Sequence, residues 1–227
     1  MVAKKGKWRS GRRSVATRLV QVTRHLIVCE GTETEPRYFE GMKAALDPVN
    51  GRKVAVVVRG SGKHTISLFE YAEDLCRYAP NPYDHVWLVF DKDDFPAGEF
   101  DLVERRCAEA SDSSCSFHAL WSNPCFEVWP LLHLRYTTAP MDAEACQKAL
   151  ANELKQEFGV EYKKNMEGLF SLIDSRRQDA AVNAERLARH HKSIGNDRPS
   201  TKSPGTKVPD IFDELGAYLV YGGVNAR

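Results

Sequence analysis

The sequence predicts an α/β protein, a parallel sheet flanked by helices with a C-terminal helical appendage. Three observations lead there. Four apolar runs, residues 25–29, 53–58, 85–90 and 116–121, lack polar alternation and read as strands buried on both faces. Amphipathic segments separate them, which is the spacing of strand–helix–strand units with few allowed topologies. From about residue 141 the strand pattern gives way to charge-rich helical periodicity.

The chain opens on an arm, residues 1–23, expected to be disordered. Residues 1–29 hold eight Lys and Arg and no acid, although the whole chain has a net charge of only +1. The remainder therefore carries 24 basic against 31 acidic residues, a net of −7. An acidic body with a basic arm is a pattern of polyanion-binding proteins, and a solvated tail is the plain alternative. Lys4, Lys5, Lys7, Arg9, Arg12 and Arg13 are the arm's candidate phosphate contacts. Trp8 is its one aromatic able to stack on a base.

The core is expected over residues 24–140. Strand 25–29 leads to a helix over 36–46, opened by Pro36, and strand 53–58 leads through Arg59–Lys63 to a helix over 66–79. Strand 85–90 leads through Asp91–Asp94 to a helix near 99–110. Strand 116–121 leads to a helix that Asn123 caps and Pro124 opens. The appendage, 141–227, is expected to pack on the core through helices at 142–158, near 167–174, at 178–191 and at 209–219, with a Pro/Ser/Thr/Gly loop at 197–207 and no strand.

Composition removes several classes. The six cysteines are scattered with no C-x-x-C pair, which argues for reduced thiols in a cytoplasmic protein and against a disulfide framework or a zinc site. The seven histidines do not pair at metal spacing, and adjacent His190 and His191 read as surface residues on two faces of a helix. No run reaches membrane-spanning length, and the basic N-terminus has no apolar region behind it to make a signal peptide.

The chemistry lies at strand ends. In a parallel sheet the ligand crevice lies beyond the carboxyl ends of the strands. Glu30 ends the first strand, and Asp91 and Asp93 end the third, so all three fall on one edge. Glu30 is not needed as a helix cap, because Thr32, Thr34 and Glu35 stand closer to that helix. In extended chain, Asp91 and Asp93 point the same way while Lys92 points elsewhere. Three converging carboxylates repel one another, and a hard divalent cation relieves this; an all-oxygen set suits Mg²⁺ or Mn²⁺ rather than zinc. The alternative for D-K-D-D alone is an acidic turn.

Two further residues compete with ordinary readings. Glu127 sits among Phe126, Val128 and Trp129, where an isolated buried charge is costly, and it follows a strand that ends on the same edge. A helix-dipole partner or a surface glutamate is the alternative. Gly60-Ser61-Gly62-Lys63 is not a P-loop, because Val57 stands where the first glycine belongs. Its turn can still present backbone N–H groups to a phosphate with Lys63 beside them, or it is a plain strand-to-helix turn.

A strand ending in Glu-Gly and a later strand ending in Asp-x-Asp resemble the Toprim domain of topoisomerases, primases and several nucleases. The fuller set, IVCEGTETEPRYFEGM (27–42), VFDKDDF (89–95), SNPCFEVWPLLH (122–133), YKKN (162–165) and PGTKVPDIFDEL (204–215), resembles the RloB-like family of bacterial defence proteins. The resemblance implies that Glu30 is a metal ligand or general base, that Asp91 and Asp93 are metal ligands with Asp94 behind them, and that Glu127 joins the site. It assigns Lys164, in an appendage, to stabilising transition-state charge. It also implies a Mg²⁺-dependent (or Mn²⁺-dependent) nuclease that is toxic when released, in anti-phage defence beside an AAA-type ATPase. RNA, tRNA foremost, is favoured over DNA as substrate, and a homodimer is allowed. A DNA nickase of the same class and a non-catalytic metal-binding subunit are the rival readings.

Overall fold

The computed structural model describes residues 22–220. The arm residues Lys4, Lys5, Lys7, Trp8, Arg9, Arg12 and Arg13 lie outside them. Strands β1 (Thr23–Cys29), β2 (Val54–Gly60), β3 (His85–Asp91) and β4 (Ser116–Asn123) pair in parallel, in the order β2-β1-β3-β4. All four predicted strands form, with ends shifted by one or two residues. Helices α1 (Thr34–Ala44), α2 (Thr65–Arg77) and α3 (Ala97–Ala110) connect them.

The order places the site. The chain leaves β1 for β2 on one side, then returns to build β3 on the other. Strand order thus reverses between β1 and β3, and the crevice of an open α/β sheet opens at such a reversal, outside the carboxyl ends. Glu30 and Asp91 are the residues that end the strands there.

Each strand is apolar in both directions because both faces are covered. Ile27, Cys29, Trp87 and Val89 face α1, where Tyr38, Phe39 and Met42 pack on them. Leu26, Val28, Leu88 and Phe90 face α2 and α3 through Leu68, Phe69, Phe100 and Val103. Fully burying one such side chain is worth roughly 1.5–3 kcal/mol, so the sheet is fixed in register by its two faces together.

The C-terminal half adds α4 (Val128–Leu134), α5 (Ala143–Phe158), α6 (Leu169–Ile173), α7 (Arg177–Ser193) and α8 (Asp210–Leu215). The side chain of Asp142 caps α5 by accepting from Ala145 N at 2.8 Å, and Gly159, at φ 67°, ends it. Leu150, Leu154, Phe170, Leu187 and Ile211 from these helices join the α1 face of the core in one continuous cluster.

Four expectations are corrected. Pro124 does not open a helix: Asn123 is the last residue of β4, and α4 begins only at Val128. The Asn123 amide is used elsewhere, donating to the carbonyls of Pro199 and Ser200, each at 3.1 Å. The C-terminal half is not strandless, since β5 (Gly205–Thr206) pairs antiparallel with β4. Its loop is therefore packed rather than solvated, and a Cβ on Gly205 would collide with the Lys202 carbonyl. His191 is buried and bonded through Nε2 to the Pro204 carbonyl at 2.7 Å, whereas its neighbour His190 is partly exposed. All six cysteines are free, and no helix among the described residues is long and apolar enough to cross a membrane.

Candidate metal centre at the carboxyl edge of the sheet

A cavity of about 440 Å³ opens at the strand-order reversal. Glu30, Asp91, Asp93, Glu127 and Lys164 all line it, drawn from β1, β3, the β4–α4 turn and the segment after α5. Glu35, His64, Gln147 and Asn165 line it too.

Glu30 follows β1 directly and is tied at both oxygens. Oε2 accepts the Asp91 N–H at 3.2 Å, and Oε1 lies 2.7 Å from His64 Nδ1. Burial pushes its carboxyl up, and the His64 hydrogen bond opposes this. Asp91 ends β3, and its buried Oδ1 has no hydrogen-bond partner among the described residues. Burial, followed by the charges of Glu35, Glu127 and Asp93, raises its carboxyl well above the usual range.

Asp93 reaches the cavity by another route than the predicted one. It is not in extended chain but in a turn at φ 31°, with its N–H donated to the Pro124 carbonyl at 2.9 Å. Asp tolerates this left-handed region better than most residues, so the turn, not strand alternation, brings the second aspartate round. Asp94 is exposed and lies outside the cavity lining.

Glu127 is 4% exposed, which removes the surface reading. It stands at the N-cap of α4 but its side chain makes no capping bond. Instead, Oε1 accepts the Tyr162 hydroxyl at 2.7 Å. Lys164 is exposed at the rim, with the Thr34 hydroxyl donating to its carbonyl at 2.5 Å.

Lys63 does not line the cavity, and its Nζ lies 5.6 Å from the centroid of the Tyr71 ring. The turn's N–H groups are also committed: Ser61 and Gly62 donate to the Cys29 and Glu30 carbonyls, and Lys63 donates to Ser61 Oγ. The turn is a brace for Glu30 and no open cradle for a phosphate.

Glu35 is the residue that sequence reading missed. Placed in the first turn of α1, it looks like a helix-dipole partner, yet it is buried and folds back over Gly31, where a Cβ would collide with its carboxylate. Burial above all, with Glu127 and Glu30 adding to it and Lys164 opposing, pushes its carboxyl up to about 7. The EG-x-x-x-E spacing was the available signal. Tyr162 opens the YKKN stretch, but its part shows only through the carboxylate it touches, and His64 had no signal of its own.

The donors fit a hard divalent cation. They are carboxylate oxygens without a thiolate or imidazole cage, and the buried Oδ1 of Asp91 lacks a partner that a cation would supply. The acids line the cavity without forming a finished cage: no three His, Cys, Asp or Glu side chains among the described residues already stand arranged to hold an ion. A larger cavity, about 840 Å³ between α7 and α8, contains none of the predicted site residues.

A mostly parallel α/β sheet with carboxylates gathered at its strand-order reversal defines the class of protein. The chain belongs to the RloB-like family, whose model, described as RloB-like protein, matches residues 25–215. No curated protein and no solved structure matches it.

Proposed function

We propose that this protein is a Mg²⁺-dependent nuclease of the Toprim class, with Mn²⁺ able to substitute, and a toxic effector of bacterial anti-phage defence that cleaves RNA, tRNA foremost. One observation supports it above the rest: Glu30, Asp91, Asp93 and Glu127 line a single cavity in which a buried aspartate oxygen has no partner. Glu30, Asp91 and Asp93 would hold the ion, with Glu127 and Glu35 beside it. When bound, such an ion activates water and neutralises the leaving oxygen of a phosphodiester.

The chain's own groups do the rest. His64 holds Glu30 in place from the cavity mouth. Lys164 sits where an added phosphate charge needs a cation, and burial keeps competing bulk water away from Asp91. A recess of this size, in a body of net −7, suits a compact folded RNA offering an exposed loop better than a long duplex. The partnership with an AAA-type ATPase rests on the family resemblance, and cytoplasmic residence fits six free cysteines.

Purified protein incubated with plasmid, single-stranded DNA and total tRNA, with Mg²⁺ and with EDTA, tests the reading. Metal-dependent loss of tRNA is expected. Intact tRNA beside fragmented DNA would replace RNA by DNA, and no cleavage under any metal would favour a metal-binding subunit. Deleting residues 1–24 should weaken RNA binding and flatten its salt dependence, because fewer counterions are released. An unchanged slope in an anisotropy salt series would leave the arm without that role.

A further inference from the structure

Between Gly159 at φ 67° and Gly168 at φ 77°, residues 160–167 form a strap of which Lys164 and Asn165 line the acidic cavity. Three contacts seat it on α1: Thr34 Oγ1 donates to the Lys164 carbonyl, Arg37 donates to the Asn165 carbonyl at 2.9 Å, and Arg37 pairs with Glu167 at 3.3 Å. A fourth reaches inward, from the Tyr162 hydroxyl to Glu127 Oε1 at 2.7 Å. Tyr162 itself packs against the main core cluster and is absent from the cavity lining.

We propose that Tyr162 is a positioning residue: its hydroxyl fixes the orientation of the Glu127 carboxylate inside the metal cavity and so makes the site's readiness depend on the strap being seated. This rests on the metal-site reading above. Of the cavity's carboxylates Tyr162 is hydrogen-bonded to Glu127 alone, so its effect on the site passes through that residue. A carboxylate offers about four lone-pair sites, and the tyrosine occupies one, leaving the others for the cavity. A phenol carries its proton at neutral pH, so the hydroxyl donates and the carboxylate oxygen accepts. Without the hydroxyl, the Glu127 side chain keeps no hydrogen bond to the described residues that fixes its orientation. Lys164 is two residues along the same strap, so unseating it removes an oriented acid and a cation together.

A merely structural tyrosine would satisfy Glu127 and do nothing more. The two are separated by Mn²⁺ affinity, measured by EPR or calorimetry on the full chain, for wild type, Tyr162→Phe, Glu127→Gln and the double variant. Tyr162→Phe is expected to weaken Mn²⁺ binding by about 10-fold, in the range of outer-shell substitutions at metal sites. It should lower kcat while leaving KM for tRNA near wild type. In the Glu127→Gln background the same change should add nothing, since the two act as one unit. Tyr162→Phe with wild-type Mn²⁺ affinity and kcat would overturn the proposal and leave the metal site standing. An additional loss in the double variant would equally overturn it, by showing a route other than Glu127. Wild-type protein that binds no Mn²⁺ would remove the metal site and the proposal with it.

Discussion

The two edges of one sheet treat buried ionisable groups in opposite ways. At the amino edge, His25 on β1, His85 on β3 and His118 on β4 stack across three adjacent strands, with Trp87 among them and ring centroids 3.9 Å apart for Trp87 and His118. Their polar atoms satisfy one another: Trp87 Nε1 donates to His25 Nδ1 at 3.2 Å, and His85 Nδ1 lies 3.1 Å from His118 Nε2. Burial first, then the neighbouring imidazoles, lowers His25 to about 4; burial and His85 do the same for His118. His25 and His118 are therefore neutral packing. At the carboxyl edge, burial and mutual repulsion raise Glu30, Glu35, Asp91 and Asp93, and Asp91 keeps an oxygen without a partner. The fold closes the first edge on itself and leaves the second needing a positive charge, which is the ground for proposing the site at the second.

The largest effect is expected from the carboxyl edge. Glu30→Gln and Asp91→Asn should each cut cleavage by at least about 10²–10³-fold, on the scale of losing a preorganised charge partner. Metal-free Asp91→Asn should melt at the same temperature or higher, because a repelled buried charge is gone and the packing is kept. Near-wild-type cleavage by both variants would erase the distinction between the edges.

Next come opposite pH signs. Glu35 has a folded value of about 7 against an ordinary 4.5, so its charged form opposes folding. Metal-free stability is gained as pH falls from above 7 towards 4.5, and it is lost again on the way up. Glu35→Gln should therefore raise metal-free stability at pH 8 by about 2–3 kcal/mol and remove that slope. Urea unfolding at several pH values measures both.

The histidines run the other way. His118 is neutral when folded down to about 4, whereas the unfolded chain protonates near 6.5. Its contribution is present above 6.5 and disappears as pH falls towards 4. His118 is only partly buried, so solvent screening reduces the loss to about 1 kcal/mol. Other buried histidines, His133 and His191, are lowered too, so the test is the difference between wild type and His118→Gln. An identical acid slope in both would show that the stacked histidines are not the neutral edge described above.

The smallest effect belongs to the strap. Arg37→Ala removes two ion pairs of exposed partners and the bond to the Asn165 carbonyl. Stability should fall by no more than about 1 kcal/mol. Activity should drop several-fold more than that implies, because Lys164 loses its seat. Equal small losses in both would make the strap an ordinary loop.

Much of the carboxyl edge was legible because strand ends are legible: an apolar run stops where its next residue is charged, and parallel strands put those stops on one edge. Glu30 and Asp91 followed from that alone, whereas Asp93 enters through a turn and not through the strand alternation that named it. Glu127 was harder, since SNPCFE looks like helix initiation, and only its burial beyond a tight turn explains why its carboxylate faces the cavity. Glu35 was misread as part of a helix start, because its fold-back over Gly31 depends on what fills the crevice. The amino edge was not seen at all. His25, His85 and His118 each sit near the start of a strand, and nothing local says that those strands are neighbours.

By itself the sequence determined the parallel sheet, its four strands, the helices between them and the edge that carries the acids, because apolar periodicity and chain direction are local properties. Tertiary structure alone decided the order β2-β1-β3-β4, the reversal that opens the crevice, the turn that brings in Asp93, the fold-back of Glu35, and the reach of Tyr162 to a glutamate 35 positions earlier. Those depend on which surfaces meet once the core is packed, and contacts between segments far apart in the chain leave no periodicity to read.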